Sequence, residues 1–191
     1  MRDHLKIGFA LTGSFCTFEK VFPQMEALTQ AGIEIVPIMS ERVFSMDTRF
    51  GSAEKWRIKM EEITKNPILT TLQDVEPIGP KKMIDALVIA PCTGSTLSKL
   101  ASGMADTSVS MAAKSTLRNE RPVILAVSTN DGLGAAAKNI GLLHAMKNFY
   151  FVPYGQDDPE HKPNSLVAHF DKLLPTVTAA MAGRQLQPVL E

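Results

Sequence analysis

The residues with the clearest chemical potential run from Pro91 to Asp106, PCTGSTLSKLASGMAD. They follow an apolar run and lead into a stretch with helical spacing. A hydroxyl-rich turn between a strand and a helix offers backbone N–H groups and hydroxyls to an anion, commonly a phosphate. One hydroxyl is enough to cap the helix that follows. Thr93, Ser95 and Thr96, with Gly94 among them, exceed that need. Lys99, one turn into the helix, either reaches an anion or is solvated.

Three other polar turns invite the same question. In Thr12-Gly13-Ser14, Gly13 permits close backbone approach and Ser14 supplies a hydroxyl; the bland reading is an ordinary turn. The G-x-G-x-x-G spacing of dinucleotide sites is missing, and so is a Walker A pattern. Ser40 closes a second apolar run. In Ser128-Thr129-Asn130, Asn130 either satisfies its own turn or hydrogen-bonds a heterocycle. Arg42, Arg49 and Lys55 are candidates to clamp carboxylates, since Arg pairs with them bidentately; the alternative is a solvated basic loop. The histidines are His4, His144, His161 and His169, so none lies between residues 5 and 143. His144 reads as a packed helix residue. No Ser-His-Asp or Cys-His set emerges. Cys92 either borders a pocket or is an inert buried thiol.

These turns need strands to carry them. Leu5–Leu11 reads as a first strand. A helix follows with Phe18, Val21, Phe22, Met25 and Leu28 at spacings of three and four. Pro23 is expected to break it, kink it or start its main part, and Gly32 to stop it. Ile33–Ser40 is a second strand, which Pro37 assigns to an edge or a bulge. Ser52 caps a helix with Trp56, Met60 and Ile63 on one face, ended by Asn66-Pro67. Residues 68–81 read as a short strand and a loop. Met83–Ala90 is a third strand. Leu97, Leu100, Ala101, Met104 and Ala105 predict a helix, and Ser108–Leu117 another. Pro122–Ser128 is a strand, followed by a helix starting near Leu133. Phe149–Gly155 is the last strand, and Ser165–Ala182 a closing helix. The alternation predicts an α/β fold with a mostly parallel sheet and helices on both faces. Ligands of such sheets sit outside the carboxyl ends of the strands, which is where every polar turn falls.

Length and composition set the bounds. The 191 residues suit one domain, 1–191. The 20 basic and 20 acidic side chains balance, which gives no electrostatic case for nucleic acid or an anionic membrane. Two cysteines make neither a disulfide framework nor a metal site. No apolar run spans a bilayer, and the opening MRDHLKIGFALTG lacks the form of a signal peptide, so the expectation is a cytoplasmic protein. Zero net charge and ten Met fit a chain that covers part of its surface with a partner.

Taken together, these motifs resemble the flavoprotein family, whose Rossmann-like, flavodoxin-like three-layer fold is shared by flavin-dependent cysteine decarboxylases and flavin prenyltransferases. Thr12-Gly13-Ser14, Ser40, Pro91–Asp106 and Val123–Asp131 carry the resemblance, which covers nearly the whole chain. The family segment runs roughly P-x-x-x-N-T-x-x-K-x-A-x-G-x-A-D. Pro91, Thr96, Lys99, Ala101, Gly103, Ala105 and Asp106 match it, and Ser95 replaces the Asn. Pro91-Cys92-Thr93 is similar to the prenyltransferase form. The resemblance implies FMN held by Gly13, Ser14, Ser40, Pro91, Thr93, Gly94, Ser95, Thr96, Lys99, Ser128, Thr129 and Asn130. Within that set, Ser14, Ser40 and Thr96 fall on the phosphate side and Asn130 on the ring or substrate side. It also implies homo-oligomers, trimers or dodecamers. Two departures stand out. The decarboxylases carry a catalytic His ahead of this segment, and this chain has none there. Of their substrate clamp only Asn130 remains; the Arg and Glu of the prenyltransferases are also missing at Ser128-Thr129. Three long stretches, beginning at Lys6, Met39 and Ala126, are similar to the flavoprotein-type subunit of a two-subunit synthase of spore-forming bacteria. That likeness implies oxidation of a dihydropyridine dicarboxylate in the mother cell, with a dehydrogenase-like A subunit supplying NADP. The alternatives are a non-catalytic partner that stabilises that A subunit, or an independent decarboxylase.

Overall fold

The computed structural model describes residues 4–191. Five parallel strands form the centre: β1 (Lys6–Leu11), β2 (Glu34–Met39), β3 (Ala86–Cys92), β4 (Val123–Thr129) and β5 (Phe149–Phe151). Their spatial order is 2-1-3-4-5, the flavodoxin-like order, which reverses between β1 and β3. Beyond β4, two short strands, β6 (Tyr154–Gly155) and β7 (Leu166–Ala168), extend the sheet antiparallel, and β7 pairs with the last residues of β4. All of β3 is buried, as the centre of a sheet covered on both faces requires.

The helices are α1 (Phe18–Gln30), α2 (Glu41–Ser45), α3 (Ala53–Thr64), α4 (Leu72–Val75), α5 (Gly94–Ala101), α6 (Ser108–Leu117), α7 (Ala137–Ala145) and α8 (Leu173–Met181). One group joins α1 to α3 and α8; the other joins α6 to α4 and α5, with α7 on α5. The predicted face of α1 is the buried one, and Pro23 lies inside the helix without ending it. Gly32 adopts φ 81°, a conformation glycine takes without strain. Trp56 of α3 stacks on Phe22 at 5.5 Å and meets Phe18 edge-on at 5.2 Å. This contact fixes α3 on α1, and with it the loop between α2 and α3.

As Pro37 predicts, β2 is an edge strand. Its outer side is not bare. Leu69 N donates to Pro37 O at 2.9 Å, and Met39 N donates to Leu69 O at 3.0 Å. Asn66 Nδ2 donates to Ile35 O at 2.8 Å. The expected short strand in 68–81 is thus a single bridge residue, Leu69, followed by α4 and a 3-10 turn.

Two expectations fail at the far end. Phe149–Gly155 is not one strand: it splits at Val152-Pro153 into β5 and β6, because Pro153 has no N–H with which to continue a ladder. Ser165–Ala182 is not one helix: Leu166–Ala168 forms β7, a 3-10 turn follows, and only Leu173–Met181 is α-helical. The strand pairing with Ser128 and Thr129 overrides the helical spacing there.

Candidate functional site

The polar turns converge at the carboxyl ends of β1, β2, β3 and β4. Thr12, buried at the end of β1, donates its hydroxyl to Pro91 O at 2.6 Å and accepts from Thr93 N at 3.1 Å. One side chain therefore ties the ends of β1 and β3 together at the switch point. Ser14 Oγ lies 2.7 Å from Ser128 Oγ, which joins the same turn to β4. Thr93 caps α5, accepting from Thr96 N at 3.3 Å, and the two hydroxyls are 3.0 Å apart. Ser40 caps α2 by accepting from Val43 N at 3.4 Å. Gly94 is required at the start of α5. A Cβ there would lie 2.7 Å from Thr129 Oγ1 and 2.9 Å from Asp131 Oδ1. Those two groups hydrogen-bond to each other, with Thr129 donating.

Two cavities of about 610 Å³ each open over these turns. Gly13, Phe15, Thr93 and Ser95 line both, so they form one trough. Ser14, Gly94, Ser128, Thr129 and Asn130 face the first cavity; Ser40, Thr96 and Lys99 face the second. Of the twelve expected cofactor residues, Pro91 alone lines neither. It is buried in β3, where its carbonyl serves Thr12. Lys99 is at the wall, but its ammonium is 2.6 Å from Asp106 Oδ2, and that bond holds the Asp106 carboxyl below its usual range.

Of the expected carboxylate clamps, Arg49 lines the first cavity and Arg42 the second. Lys55 reaches neither. It pairs with Glu19 at 3.0 Å and lies 4.2 Å over the Trp56 ring, a place set by α3 packing on α1. Spacing alone did not bring Phe15, Phe50, Thr107, Asp131 and Lys162 to the trough. A tight turn, in which Thr48 and Gly51 exchange hydrogen bonds at 3.0 Å, presents Arg49 and Phe50, with the guanidinium 4.8 Å over the ring. Cys92 is buried, and burial pushes its thiol well above the usual range. His144 stacks on Phe151 at 3.7 Å and hydrogen-bonds Tyr154 at 2.9 Å, away from the trough. Among the described residues, no histidine lines either cavity.

The model of the Flavoprotein family matches residues 1–168. The chain belongs to the flavoprotein family. It is 49% identical over 185 residues to the B subunit of dipicolinate synthase from Bacillus subtilis strain 168, across 97% of this chain and 92% of that one. The crystal structure of the B subunit of dipicolinate synthase from Bacillus halodurans is similar with a TM-score of 0.90 and 48% identity, over 98% of this chain and 96% of the other. Burkholderia xenovorans DmrB, solved in complex with FMN, shares the fold at a TM-score of 0.71 and 15% identity, over 95% of this chain and 98% of its own.

The donor set of the trough fits a flavin mononucleotide. The second cavity offers hydroxyls from Ser40, Thr96 and Thr107 beside Arg42, which suits a phosphate. The first is lined by Phe15 and Phe50 together with Asn130, a set that suits a flat ring with polar edges. Each cavity by itself is within the range that small-molecule ligands occupy.

Proposed function

We propose that this chain is the flavin-binding B subunit of a dipicolinate synthase. With an A subunit that carries NADP, it takes part in oxidising dihydrodipicolinate, or its hydrated precursor, to dipicolinate. The convergence of Ser14, Ser40, Thr93, Ser95 and Thr96 on one trough carries this reading; the 49% identical relative supports the pathway step. Making the ring aromatic removes two electrons and two protons, with loss of water from the hydrated form. Bound FMN supplies a hydride acceptor.

The chain's own residues bind and orient. Ser40 and Thr96 hold the phosphate side; Ser14, expected there, lines the ring-side cavity with Asn130, which faces the ring or the substrate. Arg49 lines the ring-side cavity and is the arginine that would pair with a carboxylate of the substrate, while Arg42 lines the phosphate-side cavity with Ser40 and Thr96. Assembly into trimers or dodecamers, in the mother-cell cytoplasm of a spore-forming bacterium, belongs to the same reading. No helix among the described residues is long and apolar enough to cross a membrane.

One observation favours a second reading, in which the chain stabilises the A subunit without redox chemistry of its own. Among the described residues no histidine lines the trough, whereas the decarboxylases that the chain resembles carry a catalytic one. A visible spectrum and an FMN titration of the purified chain, then an assay with and without the A subunit, separate the two. Stoichiometric flavin, with activity lost in Thr96→Ala and restored by excess FMN, supports the first. Full activity of the mixed subunits with no flavin present overturns it in favour of the second.

A further inference from the structure

Oxidation of the substrate ring needs a group that takes a proton, and two carboxylates line the trough among the described residues. Glu41, on the phosphate side, is committed to the fold: its Oε1 accepts from Ser108 N at 3.0 Å, at the start of α6. Asp131, in the ring-side cavity, has no such duty. It lies two residues past the end of β4. Its main-chain carbonyl, not its side chain, closes the turn into α7, accepting from Gly134 N at 2.8 Å and from Ala136 N at 3.2 Å. The next residue, Gly132, packs so closely on β7 that a Cβ there would lie 2.6 Å from the Leu166 side chain, which holds the turn in place. The carboxylate is oriented through one oxygen only, since Oδ1 accepts from the Thr129 hydroxyl. Among the described residues no hydrogen bond or ion pair engages Oδ2, and Asp131 is exposed. A carboxylate oriented by one oxygen, with the other open in a ligand cavity, has what a general base requires.

We propose that Asp131 is the catalytic base, which takes the proton when the substrate ring is oxidised in the ring-side cavity. The inference rests on the reading of the trough as the place of that oxidation. One ring C–H bond breaks and its hydrogen leaves with the electron pair, as hydride, to a flavin or to the nicotinamide of the A subunit. A proton passes from the neighbouring ring atom to Asp131 Oδ2, and the pair that held it becomes the new ring double bond. Asp131 is exposed, so it can return the proton to water. The two cations of the cavity have a different task. Arg49 follows the edge strand β2, and Lys162 lies between β6 and β7, beyond β4, so they approach from opposite flanks of the sheet. Both groups are donors only, suited to the substrate's carboxylates and unable to take its proton.

The test is oxidation of dihydrodipicolinate by the mixed A and B subunits, with calorimetric titration of the B subunit by FMN and by pyridine-2,6-dicarboxylate. Asp131→Asn keeps the side-chain shape and an acceptor for Thr129. It lowers turnover about a hundredfold or more. It leaves FMN affinity unchanged and binds the dianionic product as tightly as the parent or more so, because a like charge has been removed. In Asp131→Ala, added formate or acetate restores turnover in proportion to its concentration, which loss of a merely structural side chain would not allow. The proposal is overturned if the parent pair is active and Asp131→Asn keeps turnover within about threefold of it, or if small carboxylates do not rescue Asp131→Ala. It is also overturned if turnover survives in Asp131→Asn but is lost in Cys16→Ala, which would give the proton to the thiol. A parent pair that does not oxidise dihydrodipicolinate removes the reading of the trough, and this role with it.

Discussion

The hydroxyls of Ser14 and Ser128 lie 2.7 Å apart although 114 residues separate them, and this bond spans the carboxyl end of β3 between them. It joins the turn after β1 to the end of β4 and so sets the width of the first cavity. Ser14→Ala and Ser128→Ala should each cost about 1 kcal/mol in urea denaturation. The double variant should cost little more than either single one, because both remove the same bond. Fully additive losses would show that the two hydroxyls act separately.

Thr96 is buried, and Ser40 half-buried, at the phosphate end of the trough. Thr96→Val keeps the shape and removes the hydroxyl. It should weaken FMN binding about tenfold and, through the lost Thr93–Thr96 hydroxyl bond, cost about 1 kcal/mol of stability, as read by flavin fluorescence quenching and a melt. Ser40→Ala should act in the same direction.

Gly94 has no room for a side chain. Gly94→Ala drives a methyl into Thr129 Oγ1 and Asp131 Oδ1, and the start of α5 must move. The expected cost is about 1–3 kcal/mol of stability, with weaker FMN binding than in Ser95→Ala, which alters an exposed hydroxyl without moving the backbone.

The two cysteines should differ in reactivity. Cys16 is exposed on the trough and Cys92 is buried in β3, with its thiol held protonated by burial. A thiol reagent at neutral pH should label one site per folded chain, and mass mapping should place it at Cys16. Added FMN should slow that labelling. Labelling of both sites at equal rates would contradict the packing of β3.

Asp74 gives a pH dependence. The N–H groups of Thr70 and Thr71 donate to its Oδ2 at 3.0 and 2.9 Å, and hold its carboxyl below the ordinary 3.8. A carboxyl with a lower pKa in the folded state stabilises the fold above its unfolded value, and that contribution is lost as the pH falls through the folded value. The stability gap between the parent and Asp74→Asn should therefore be full at neutral pH and close below 3.8. No gap at neutral pH would mean that the amide serves the cap equally well, and a gap that does not change with pH would mean that the loss does not come from the Asp74 charge.

Much of the site was legible because its parts are local. A cap such as Thr93 and a strand such as Ala86–Cys92 are written in adjacent residues, and strand ends must meet at one side of a parallel sheet. What escaped depends on long-range placement. Phe50 comes to the trough only because Trp56 pins α3 against α1. Lys55, five residues further on, is turned away to Glu19 by the same packing. Leu166–Ala168 is too short to show a period, and it becomes a strand only because the end of β4 offers it an antiparallel partner. The trough shape likewise depends on Thr12, which the sequence places in a polar turn, but whose hydroxyl bonds a carbonyl 79 positions away.

The β2 edge has a consequence for how copies of the chain meet. Pro37 has no N–H to offer there, and Leu69 and Asn66 already occupy the Pro37 and Ile35 carbonyls and the Met39 amide. An incoming strand finds few open partners along that side. Assemblies of this protein are thus steered away from continuous sheets grown through β2, and toward contacts made by helices and loops. An overloaded or partly unfolded preparation should resist fibril growth from that edge as long as Leu69 and Asn66 stay in place.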